Sequence, residues 1–151
     1  MGLEEIGQAL AGLRLVLLDT MVFSYHLADY PPYAPLTTAI LEAVERGAPA
    51  GLTTTLTLAE VLTAPAQAGD DAAMLDYELF LTHFPNLRIV PLDAGLAREA
   101  ARVRAETHLR LPDAIQVAAG RLAGVDALIT NDQEWSRVSW PRVLLLDEYV
   151  P

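Results

Sequence analysis

The sequence predicts a three-layer α/β/α sandwich around a central, mostly parallel sheet, and three observations lead there. Residues 13–18, Leu-Arg-Leu-Val-Leu-Leu, are almost continuously aliphatic without alternation, which suits a strand covered on both faces. Short strand-like stretches alternate along the chain with helical patterns, the order that builds a parallel sheet. The 151 residues are 52% hydrophobic and carry no repeat, low-complexity tract or linker, as expected of one domain with one core.

In chain order, residues 1–12 read as a short amphipathic helix or loose arm, and residues 13–151 as the domain proper. The first strand stops at Asp19-Thr20. The segment from there to Leu27 starts a helix, and Pro31, Pro32 and Pro35 impose a rigid break. Leu36 to Arg46 is helical, with Leu36, Ile40, Leu41 and Val44 on one face and Gly47 ending it. Ala50 to Thr54 is a strand with β-branched threonines. Thr55 to Thr57 offer N-caps for a helix that carries Glu60 and is expected to stop at Ala64-Pro65. Asp70 and Asp71 open a helix through Phe84, with Leu75 and Leu79 at helical spacing, and Leu87 to Pro91 is a short strand. Asp93 caps a helix to Thr107, on which Arg98, Arg102 and Glu106 recur every four residues as a solvated, salt-bridged face. Pro112 starts an alanine-rich helix, Asp113 to Leu122, ending near Gly124. Ala127 to Thr130 and Val143 to Leu146 are the last strands, with Asn131-Asp132 in a turn after the first of them.

Composition narrows the chemistry. There is no cysteine, which excludes disulfide, zinc-thiolate and thiol-nucleophile chemistry and fits a reducing cytosol. All ten basic residues are arginine, so P-loop and Schiff-base chemistry lack their lysine. The net charge of −10 argues against a nucleic-acid coat protein, yet leaves room for a nuclease that neutralises its own site with metal. No apolar run approaches the ~18 residues of a membrane span, and Glu4 and Glu5 stand where a secretory leader would be basic. A cytoplasmic location is the expectation.

Four carboxylates stand out, each with an ordinary alternative. Asp19 ends the first strand, where the ligand crevice of an open α/β sheet lies, and would also serve as a helix cap. Glu60 interrupts an apolar helix, Leu56-Thr57-Leu58-Ala59-Glu60-Val61-Leu62; its alternative is a solvated position on a half-buried helix. Asp113 occupies a first helical turn, where the helix dipole favours acids regardless of function. Asp132 follows a strand and reads equally as a turn aspartate. Strand carboxyl ends and following helix amino ends share one edge of a parallel sheet, so the four can meet. Asp113 is the weakest member, because no strand precedes its helix. Clustered carboxylates repel, and a hard divalent cation such as Mg²⁺ or Mn²⁺ relieves them.

These residues resemble the PIN-domain family, and the chain's size resembles its VapC-type toxin group. The family's first strand ending in Asp-Thr matches Leu17-Leu18-Asp19-Thr20, and its helical Glu matches Thr57-Leu58-Ala59-Glu60-Val61-Leu62. Its Asp opening an alanine-rich helix matches Leu111-Pro112-Asp113-Ala114-Ile115-Gln116-Val117-Ala118-Ala119. Its Thr-Asn-Asp before an aromatic matches Thr130-Asn131-Asp132-Gln133-Glu134-Trp135. The likeness spans residues 13 to 146. Two positions depart from it. Met21 stands where the family has Asn, removing a polar support for Asp19, and Trp135 stands where Phe or Leu is usual.

The resemblance implies a PIN-like fold and a Mg²⁺- or Mn²⁺-dependent ribonuclease working by in-line attack of an activated water on a phosphodiester. It implies Asp19, Asp113 and Asp132 as metal ligands, direct or through water, with Glu60 a ligand or the residue that positions the water. Thr20 and Thr130 are candidate hydroxyls behind these carboxylates, and Arg110 a candidate phosphate contact. An antitoxin partner and a homodimer are further expectations of the likeness, with a solitary RNA-processing nuclease or a non-catalytic binding module as alternatives. An aspartyl-phosphate phosphatase is rejected, because it needs an Asp at position 21 and a downstream lysine.

Overall fold

The structure, a computed structural model, describes residues 2–151. Five strands, β1 (Leu15–Leu18), β2 (Ala50–Thr54), β3 (Leu87–Val90), β4 (Ala127–Thr130) and β5 (Arg142–Leu145), form one sheet in the order β3-β2-β1-β4-β5. Every neighbouring pair is parallel, with Leu17 of central β1 opposite both Leu52 and Leu128. Alternation along β1 divides the core into two layers. Val16 and Leu18 face one cluster with Ile6, Phe23, Ile40 and Val61. Leu17 faces the other with Leu96, Val103, Val117 and Trp135. Both sides of a four-residue strand are therefore dry, which is why its sequence shows no polar alternation.

Helices α1 (Gly2–Leu10), α2 (Thr20–Leu27), α3 (Ala34–Glu45), α4 (Thr55–Gln67) and α5 (Asp71–Thr82) contribute to the first cluster. Helices α6 (Ala94–Thr107) and α7 (Leu111–Ala123) contribute to the second. Of the two forms expected for residues 1–12, residues 2–10 take the helix, with Ile6 and Leu10 buried. Helix α7 lies close on the sheet because its inner face is small. A Cβ on Gly120 would stand 2.7 Å from Leu128 Cδ2 and 3.6 Å from Leu17 Cβ. Gly124 closes α7 in the left-handed region, φ 69°, as its sequence position promises.

Several sequence expectations are corrected. Helix α4 does not stop at Pro65 but runs to Gln67 with the proline inside it. The ring is buried, and so near the helix end its missing N–H costs one hydrogen bond before the chain turns. Helix α5 ends at Thr82, and its Leu75 and Leu79 face solvent while Leu81 is buried. The fifth strand begins at Arg142, and Leu146 belongs to a following 3-10 turn, residues 146–149. The arginine face of α6 is not a ladder. Arg102 pairs with Glu99 at 3.3 Å, whereas Glu106 reaches across to Arg121 of α7 at 2.7 Å. Arg121 is buried against Trp140, 4.7 Å from its ring, and so draws the acid away from its own helix.

Candidate active site

The carboxyl edge of the sheet gathers polar side chains that the strands otherwise lack. Asp19 follows β1 and caps α2, accepting the Thr20 N–H on Oδ1 at 2.8 Å. Asp132 follows β4 and caps the short 3-10 helix 133–137, accepting the Glu134 N–H on Oδ1 at 2.9 Å. The ordinary reading of both, a cap, is thus true of one carboxylate oxygen, and the other takes no part in the cap. Asp113 enters from the first turn of α7, which touches β1, β2 and β4 although no strand leads into it. Arg110, not Asp113, is the capping residue there, and it makes no side-chain cap bond. The Asp113 carboxylate therefore does not cap its helix.

The four acids influence one another electrostatically. Asp19 is 5% exposed, and burial pushes its pKa from 3.8 to about 6. The charges of Asp113 and Glu60 push the same way, against hydrogen bonds from Thr130 and the Thr20 N–H. The Asp113 carboxyl is also raised, first by burial and next by the charge of Asp132, with Glu60 adding a smaller push. Glu60 itself is exposed, contrary to the expectation from its apolar neighbours, and is tethered by the Thr20 hydroxyl at 2.7 Å.

Behind the acids lies a buried network of hydroxyls. Thr130 Oγ1 donates to Asp19 Oδ2 at 2.7 Å and accepts the Asp132 N–H at 3.1 Å. Thr130 thereby couples two of the acids, and Thr20 couples Glu60 to Asp19. Two residues that sequence reasoning passed over complete the network. Gln116 of α7 donates to Thr57 Oγ1 at 2.7 Å and to Asp19 Oδ1 at 3.3 Å. Thr57 of α4 lies 3.1 Å from Thr20 Oγ1. A signal for Gln116 existed in the sequence: it is the one polar residue between Asp113 and Arg121. Met21, in place of a polar support, accepts the Asn131 N–H on its sulfur at 3.4 Å, so the turn carrying Asp132 is still pinned.

Among the described residues, two buried side-chain atoms have no hydrogen-bond partner, Asp113 Oδ2 and Trp135 Nε1. The indole N–H lies near enough to the Asp113 carboxylate to favour its charged form, without reaching hydrogen-bond geometry. Arg110 Nε stands 3.8 Å from Asp113 Oδ2 with its side chain largely in solvent, so this pair is screened and weak. An orphaned carboxylate oxygen among mutually repelling acids is a free ligand position for a hard cation. The donor set is all oxygen, which suits Mg²⁺ or Mn²⁺. Among the described residues no three acids already close into a coordination group, so a cation would have to draw them together. A groove of about 450 Å³ lined by His26, Leu41, Phe80 and Phe84 contains none of the four.

The PIN domain family model matches residues 16–141, which takes in all four acids. No curated protein sequence matches the chain. Solved structures do. VapBC2 from Rickettsia felis, bound to a DNA fragment from its promoter, aligns with TM-score 0.68 at 15% identity, covering 87% of this chain and 98% of that one. FitAcB from Neisseria gonorrhoeae aligns with TM-score 0.66 at 20% identity, covering 87% and 97%. Mycobacterium tuberculosis VapC20, described as a sarcin-ricin loop cleaving toxin, aligns with TM-score 0.65 at 15% identity, covering 85% and 98%. At these identities the likeness is one of fold.

Proposed function

The chain belongs to the PIN domain family, and from that premise we propose that it is a divalent-metal-dependent endoribonuclease, the toxin of a toxin–antitoxin pair. The observation that carries the reading is the orphaned Asp113 Oδ2 beside three other carboxylates, two of which keep an oxygen free of their caps. Mg²⁺ or Mn²⁺, when bound, supplies Lewis-acid activation of water and neutralises charge developing on the phosphodiester. Asp19, Asp113 and Asp132 would hold it, directly or through water. Glu60, exposed and steadied by Thr20, orients the attacking water and accepts its proton. The raised pKa values of Asp19 and Asp113 mean that cation affinity grows as pH climbs and the carboxyls ionise. Arg110, projecting beside Asp113, contacts a substrate phosphate.

An antitoxin partner follows from the same reading. Its inhibitory segment would bring Arg or Lys to the acidic edge, because that edge attracts cations. A homodimer is the assembly proposed with it. The defining assay incubates RNA with the purified protein in Mg²⁺, in Mn²⁺ and in EDTA. Cleavage with either metal and none in EDTA is expected, and undiminished cleavage in EDTA refutes the reading.

A further inference from the structure

The buried amide of Gln116 joins two of the acids, and its direction is fixed by hydrogen counting. Each hydroxyl has one proton to give. Thr53 shares its proton between the Leu18 carbonyl and Thr57 Oγ1, each at 2.9 Å, and Thr130 gives its own to Asp19 Oδ2 at 2.7 Å. Thr20 spends its proton on Glu60 Oε1 at 2.7 Å, and Thr54 donates to Gln116 Oε1 at 2.8 Å. With Oε1 so occupied, Nε2 must face Thr57 and Asp19, and its two protons serve one each. A flipped amide would set an oxygen against the Asp19 carboxylate and leave Thr54 without an acceptor. Thr57, receiving from Gln116 and from Thr53 at 2.9 Å, then keeps its own proton for Thr20 at 3.1 Å.

The consequence falls on Asp19. Its two oxygens offer about four lone-pair sites. The Thr20 N–H, the Gln116 amide and the Thr130 hydroxyl fill three of them. One remains. We propose that Gln116 is a positioning residue: through Asp19 and through Thr57–Thr20–Glu60 it holds two carboxylates in register, leaving Asp19 one oxygen position for a cation. This rests on the metal-dependent reading above and adds to it a residue that touches neither metal nor substrate. Thr54 belongs to the same device, because its hydroxyl sets which end of the amide faces the acids.

The test is Mn²⁺ binding by calorimetry on the intact protein without RNA, for wild type, Gln116→Met and Thr54→Val. Methionine keeps the length and volume of glutamine but offers no donor. Valine keeps the shape of threonine and removes only the proton that orients the amide. Each variant is expected to bind Mn²⁺ about tenfold more weakly, the usual cost of losing a partner behind a metal ligand. In RNA cleavage each should lower kcat at saturating metal and leave KM unchanged. A cooperatively melting Gln116→Met with wild-type Mn²⁺ affinity overturns the proposal. Should that variant fail to fold, Thr54→Val decides it, and wild-type affinity there overturns it equally. A wild type that binds no Mn²⁺ overturns the metal reading and this proposal together, whereas variant indifference alone removes only the latter.

Discussion

Replacing Asp19 with Asn should make the metal-free protein more stable while crippling it as an enzyme, and the size of the effect follows from the burial of that side chain. Ionised Asp19 is held in the fold with a pKa of about 6 against an ordinary 3.8, worth about 3 kcal/mol. Below pH 3.8 the carboxyl is protonated in folded and unfolded chains alike, and it costs nothing. As pH rises from 3.8 towards 6 the unfolded chain ionises first, so stability falls. Above about 6 the whole penalty is in force. Asparagine mimics the protonated acid. Its Oδ1 keeps the Thr20 and Gln116 donors. Its amide donates to Thr130, whose own proton turns to Met21 Sδ, 3.4 Å away. The assay is thermal melting in EDTA at pH 4 and pH 7.5. For a chain of this length ~3 kcal/mol corresponds to roughly 6–12 °C, so the variant should melt higher by about that much at pH 7.5, and the gap should close at pH 4. Mn²⁺ at ten times its dissociation constant should add about 1.4 kcal/mol to wild type and less to the variant. An Asn variant that melts below wild type in EDTA at pH 7.5, or a gap independent of pH, refutes the reasoning.

The same logic extends to its neighbours. Asp113→Asn should raise metal-free stability or leave it unchanged while abolishing cleavage, because repulsion and burial outweigh the ~0.3–1 kcal/mol that a helix N-terminus returns to an acid; a loss of stability in EDTA with an intact Mn²⁺ response would reduce Asp113 to a helix-dipole partner. Arg110→Ala, on a largely exposed side chain, should raise KM for RNA several-fold with melting temperature unchanged, and an unaltered KM assigns the arginine to the surface. Light scattering should report a dimer at working concentration, and a monomer removes that assembly. Co-purified antitoxin should bind Asp19→Asn/Asp113→Asn less tightly than wild type; equal binding places the contact away from the acids.

Much of this was legible in the sequence because it depends on local order. An unbroken aliphatic run that halts on Asp19 identifies a central strand and its ligand edge together, and Gly124 marks the end of α7 by backbone geometry alone. What escaped depends on contacts across the chain. Pro65 reads as a helix stop, yet its ring is buried in the fold and α4 runs two residues past it. Glu106 has a suitable arginine four residues away in sequence, yet a better-buried one fifteen residues on captures it. Gln116 reads as one polar residue among alanines until the sheet places Thr54, Thr57 and Asp19 around it. Glu60 invites burial from its neighbours, and is exposed because α4 turns that face outward.

The distribution of threonine along the sheet shows how a fold with so apolar a core holds a buried acid at all. Thr53, Thr54 and Thr130 are fully buried and sit at the carboxyl ends of β2 and β4, while the interiors of β1 and β4 are aliphatic. Threonine has nearly the shape of valine, so it packs in a covered strand as valine does, but it carries one proton to give. Placing it only in the last positions supplies donors where Asp19, Asp132 and Glu60 gather, and nowhere that would leave a hydroxyl unpaired. The donors offset part of the burial cost of Asp19 without cancelling it, as the residual rise to about 6 indicates. That residue of cost is the thermodynamic opening for a cation. A fully satisfied carboxylate would gain little from binding one, and an unsupported one would stay protonated at neutral pH.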